Sequence, residues 1–95
     1  MSQPANDPDS PEPDPPTTLV EAQHAVASCR PSSTAPLWEW LAYHQRSAAW
    51  YAEVAEIDRG HHHEALAMAE QHRELANKIK TQISAQRPGG QEARA

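Results

Sequence analysis

A chain of 95 residues makes one domain at most, and with 38% apolar residues and no phenylalanine it has few large side chains for a core. Its net charge of −5 sits mostly in the first sixteen residues, and the rest carries no dense basic face of the kind nucleic-acid binders use. One cysteine excludes an internal disulfide, and no apolar run is long enough to span a bilayer.

Those first sixteen residues hold six prolines and four acids, Asp7, Asp9, Glu12 and Asp14. Too little apolar surface is present to offset the entropy of ordering them, so 1–16 reads as a disordered acidic, proline-rich tail. Pro88-Gly89-Gly90 opens a second disordered tail over 88–95. A small helical domain over 17–87 remains, a size at which a lone core is marginal and a protein partner or self-association is expected to help. Neither a basic n-region nor an apolar h-region marks the N-terminus as a signal peptide, which points to a cytoplasmic chain.

Thr18-Leu19-Val20-Glu21 fits a capping box, with Thr18 as N-cap and Glu21 reaching back to it. It opens a first helix to about Cys29, along which Leu19, Ala22, Val26 and Cys29 share a face. Pro31 disfavours a helical Arg30 and ends it. Ser33 or Thr34 is the expected cap of a second helix over 35–59, with Pro36 in its first turn.

Along the second helix Trp40, Tyr43, Ser47, Trp50, Val54 and Ile57 recur at spacings of three and four, a heptad-type seam. Trp38 lies about 200° round the helix from Trp40 and cannot share that face. It needs a second neighbour, either the first helix folding back or another protein, and Leu41 and Ala42 accompany it. Gly60 is the natural left-handed residue to end the helix. A third helix from the histidines to about residue 85 would bury Ala65, Met68, His72, Leu75, Ile79 and Ile83. The fold expected is all-α: three helices, the second and third an antiparallel hairpin. Turning at Gly60 brings Ala48, Ala52 and Ala55 level with Ala65, Ala69 and His72, where small side chains permit close approach.

Five of the six histidines fall within 37–83, three of them consecutive at His61, His62 and His63. Imidazole is a common transition-metal ligand, and Asp58 stands three and four residues before His61 and His62. A metal site on Asp58, His61, His62 and His63 is therefore one reading of the turn; a solvated polar turn is the simpler one. His63-Glu64 does not extend to HExxH. His72 lies on the apolar face of the third helix and His44 on the second, about one turn apart in the hairpin. They read as two core-edge histidines each bonded to a neighbour, or as a pH-sensitive packing contact. Glu21/His24 and Asp58/His61 match the spacing of carboxylate–histidine pairs in di-iron bundles but lie off the apolar seam. Cys29 has no base near it in sequence and reads as a small core residue.

Gly60-His61-His62-His63-Glu64-Ala65-Leu66 resembles the turn of a tetratricopeptide hairpin, although the motif occurs once and such repeats need about three units. More widely, Trp38-Glu39-Trp40-Leu41-Ala42-Tyr43-His44 and the stretch from Tyr51-Ala52-Glu53-Val54 through Gly60-His61-His62-His63-Glu64-Ala65-Leu66 resemble a set of short uncharacterised helical proteins of actinobacteria. With Thr18-Leu19-Val20-Glu21-Ala22 the likeness takes in about two thirds of the chain. The resemblance implies no activity and carries over no catalytic or binding residue.

The leading expectation is a non-enzymatic helical protein–protein interaction module, accessory to a bacterial regulatory system, with Trp38, Leu41 and Ala42 on its partner surface. No cofactor, nucleic acid or membrane partner is expected. A metal-binding protein using the histidine turn is the alternative, and a small DNA-binding regulator, disfavoured by charge, is the third.

Overall fold

The computed structural model describes residues 15–86; the predicted tail over 88–95, and that over 1–16 as far as residue 14, lie outside the described residues. Regular structure among them is helical throughout: α1 (Leu19–Ser28), α2 (Leu37–Ile57), a single 3-10 turn (Arg59–His61) and α3 (His62–Gln86). No described helix is long and apolar enough to cross a membrane. Pro16, assigned by composition to the tail, is buried beside the start of α1.

Two separate acceptors hold the first turn of α1. Thr18 sits at the N-cap in an extended conformation, and its hydroxyl accepts from the Glu21 N–H at 3.1 Å. The Glu21 carboxylate departs from the expected box: it accepts from the Thr17 N–H (2.9 Å) and hydroxyl (3.2 Å), one residue further back. The second acceptor comes from across the molecule, where Asp58 Oδ2 takes the Leu19 N–H at 2.9 Å. An N-terminal N–H of a helix has no partner within it, and a carboxylate there also complements the helix dipole.

The loop after α1 ends differently from expectation. Ser32 and Thr34 bond each other (Oγ to Oγ1, 3.0 Å), and the Ser32 hydroxyl also accepts from the Thr34 N–H. That local turn occupies the Thr34 hydroxyl, one of the two expected to cap α2. Pro36 becomes the N-cap, extended and with no side-chain bond, its carbonyl accepting from the Glu39 N–H at 3.0 Å. Cys29 is exposed, not in the core, because α1 stops at Ser28 and Cys29 is its C-cap, already off the helical face.

α2 and α3 pack closely along their length as the antiparallel hairpin that the spacing predicts. Gly60 does not make the reversal by a left-handed conformation. Asp58 leaves the helix at φ −93°, ψ 75°, and the 3-10 turn through Gly60 closes with the His61 N–H bonded to the Asp58 carbonyl at 2.9 Å.

The hairpin contact is made by small residues. Ala48 and Ala55 on α2 face a buried stripe of Ala65, Ala69, His72 and Ala76 on α3, spaced four, three and four apart. Ala69 and Ala76 thus replace Met68, Leu75, Ile79 and Ile83 at the centre of the predicted face. The larger four straddle the contact and are only half-buried, since close-packed axes leave room for alanine between them. On α2, Tyr43, Ser47 and Val54 are buried and Trp40 and Trp50 half-buried, as the seam predicts, but Ile57 is 51% exposed. A 3.5-residue repeat drifts about 20° per heptad on a straight helix, so Ile57, two heptads after Tyr43, lies roughly 40° beyond it and roughly 100° from Trp40. α1 adds Ala22 and Val26 to the same core, around Tyr43, Tyr51, Val54 and Ala55. It starts beside Asp58 and delivers Arg30 over the Trp40 ring at 5.3 Å, so it runs back along α2 antiparallel to it.

Candidate functional site

Trp38, on the first turn of α2, is 65% exposed, the most exposed large apolar side chain described. Trp40, two residues on, is half-buried, edge-on to Tyr43 at 5.6 Å and beneath the Arg30 guanidinium. The expected geometric conflict between the two tryptophans is therefore real, and α1 resolves it for Trp40 alone. Leu41, half-buried, and Ala42, exposed, flank Trp38, and the exposed Gln45 and Ala49 continue its stripe up the helix. This outer stripe carries no charge over three turns, although Glu39, Arg46 and Glu53, seven residues apart, form a charged column along one side of it.

The turn that composition marked as a metal candidate is organised otherwise. Asp58 Oδ2 lies 3.0 Å from His61 Nδ1 and 2.9 Å from the Leu19 nitrogen, so one carboxylate oxygen ties the turn to α1. The Leu19 N–H first, and His61 after it, hold the Asp58 carboxyl below its ordinary range. His62 turns inward and donates from Nδ1 to the Ala55 carbonyl at 2.8 Å, which fixes its tautomer. His63 is exposed, its ring set edge-on to that of His62 at 5.3 Å. Asp58 and His61 are thus brought together, while His62 and His63 are not aimed at them. Among the described residues no group of three or more His, Cys, Asp or Glu side chains is placed to hold a metal ion. The other predicted pair, Glu21 and His24, is exposed, and Glu21 is occupied by Thr17.

Midway along the hairpin, His44 Nδ1 and His72 Nδ1 lie 2.8 Å apart, both rings buried. Among the described residues neither bonds a separate neighbour; they bond each other. Aromatic rings enclose them. Tyr51 stacks on His72 (5.7 Å, 15°), Tyr43 lies 4.9 Å from His44 and edge-on to His72, and Trp40 lies 5.9 Å from His44. Burial lowers the pKa of both imidazoles, and for His44 the charges of His72 and Arg30 lower it further. Spacing alone placed these two within a turn of each other; their direct contact follows from the alanine-lined approach of α2 and α3.

Cys29, Arg46 and Ser47 line an open cleft of about 280 Å³ between α2 and the loop after α1. No histidine lines it, so the thiol has no neighbouring imidazole to activate it there. The Ser47 hydroxyl is buried without a hydrogen-bond partner among the described residues. Comparison with known proteins finds no matching family model, no matching curated protein and no matching solved structure.

Proposed function

We propose that this protein is a non-enzymatic helical interaction module of the cytoplasm, accessory to a regulatory system, that docks a protein partner or a second copy through Trp38, Leu41 and Ala42. The observation that carries this reading is the exposure of Trp38 on a rigid helix, within a stripe free of charge. Tryptophan is enriched among the residues that dominate interface energies. Its exposed two thirds amounts to on the order of 150 Å² of surface, worth about 4 kcal/mol on full burial. Four side chains with ligating or acid–base chemistry are engaged within the fold: Asp58 holds α1, His62 holds the last turn of α2, and His44 and His72 hold each other.

Trp38→Ala tests this reading. In native electrophoresis of extracts from cells that make the protein, the wild type should migrate in an assembly heavier than the 10.5 kDa chain, and the variant as the chain alone. Its unfolding free energy should stay within about 0.5 kcal/mol of wild type, as expected of a surface substitution. Identical migration of the two proteins, or a variant that unfolds, would overturn the assignment.

A further inference from the structure

We infer that the His44–His72 pair is a proton-operated latch, which holds α2 against α3 at neutral pH and releases them on mild acidification. The inference is independent of the Trp38 surface. It begins with the 2.8 Å separation of two like nitrogens on different helices. A bond between two imidazole Nδ1 atoms needs a hydrogen on one and a lone pair on the other, so the rings must take opposite tautomers. With both rings neutral, or one protonated, that bond survives. With both protonated, two N–H groups and two positive charges face each other at bonding distance in the core, and the bond is gone.

The surroundings offer the second charge no relief. From α2 the pair meets Trp40, Tyr43 and Tyr51, whose ring faces offset part of the cost of one cation. On α3 the residues one turn either side of His72 are Met68, Ala69, Leu75 and Ala76, none of them ionisable. α1 contributes Ala22 and Val26 to the core, and the loop after it contributes Arg30, a cation whose field opposes charge on His44. Among the described residues no carboxylate pairs with either ring. The two residues retain 9% and 8% exposure, so the site is not sealed from solvent.

The direction follows from linkage. Both imidazoles are held below their ordinary 6.5 in the folded chain, so the stability they confer is complete above that pH and declines as pH falls below it. The unfolded chain then binds two protons at these positions where the folded chain binds none or one. Each extra proton raises the unfolding equilibrium constant about tenfold per pH unit, so the pair gives roughly ten- to a hundredfold.

Two measurements test the latch. Long-range ¹H–¹⁵N spectra of the wild-type imidazoles, from pH 8 to 5, should show one of the two rings protonated at Nδ1 and the other at Nε2. At most one of the two should take up a second proton before the hairpin itself opens. Equal tautomers, or two rings titrating separately near 6.5 with the fold intact, would overturn the inference. The second compares denaturant unfolding of wild type and His72→Gln across the same range. The variant should lose up to tenfold per pH unit of the acid dependence; an unchanged dependence would also overturn it. Should His72→Gln fail to fold, the wild-type spectra decide alone.

Discussion

Replacing Ser47 with alanine should make the protein more stable. Ser47 is 1% exposed at the centre of α2, and its hydroxyl has no hydrogen-bond partner among the described residues. Other helical hydroxyls in the chain bond back to the preceding turn: Ser28 to the Ala25 carbonyl at 3.0 Å, Thr81 to that of Asn77 at 3.1 Å. Ser47 does not, so burying its hydroxyl incurs a desolvation penalty of about 1–3 kcal/mol with nothing to offset it. Alanine removes that penalty and gains up to about 0.5 kcal/mol of helix propensity. The oxygen leaves behind roughly 10 Å³, a loss of about 0.2 kcal/mol at the usual cavity coefficient. The net is a gain of about 1–3 kcal/mol, each kcal/mol being roughly 4–8 °C in Tm for a domain of this size. Urea unfolding followed by circular dichroism at pH 7.5 reads it directly, with an unchanged m value showing that the unfolded state is not the cause. A loss of stability of about 1 kcal/mol or more would refute the reasoning, because it would mean that the hydroxyl makes a bond worth having.

Asp58→Asn should loosen α1 specifically: amide exchange at Ala22 and Val26 should speed up while Ala65 and Ala69 on α3 keep their protection. Because the Asp58 carboxyl is held below its ordinary 3.8, the stability it confers is present above that pH and lost as pH falls through its lowered value. Acid titration of the Asn variant should therefore flatten the stability profile below about pH 4, a window separate from the histidine one, whereas an unchanged profile would contradict the Leu19–Asp58 link. Gly60→Ala should be neutral or stabilising, by up to about 1 kcal/mol, since a Cβ there meets nothing within 4 Å and the backbone is not left-handed. A melt lowered by more than 1 kcal/mol would instead restore Gly60 as an obligatory left-handed turn residue.

Local signals in the chain were sufficient for the helices. Thr18 and Pro31 bracket α1, and alternating spacings of three and four mark α2 and α3, because both depend only on neighbours within a turn or two. Which residues lie innermost depended on a quantity no local pattern holds, the distance between the α2 and α3 axes. Once alanines let the axes close, Ala69 and Ala76 moved to the centre, and Leu75, Ile79 and Ile83 to the flanks. The same closeness joined His44 to His72. Asp58 is a related case. Beside three histidines its carboxylate suggested a ligand, while its partner, the Leu19 amide, lies 39 residues away. Trp38 was the opposite case: two tryptophans two residues apart cannot share a helical face, and one of them does stay in solvent.

The account turns on whether something covers Trp38 in the cell. A photo-reactive benzoylphenylalanine at position 38, irradiated in living cells, tests this directly, with the same group at the exposed Gln71 of α3 as control. The account predicts a discrete cross-linked product from position 38, with a second copy of the chain or one other protein, that position 71 does not give. Irradiation that yields no adduct at position 38, or the same diffuse set from both positions, would contradict it.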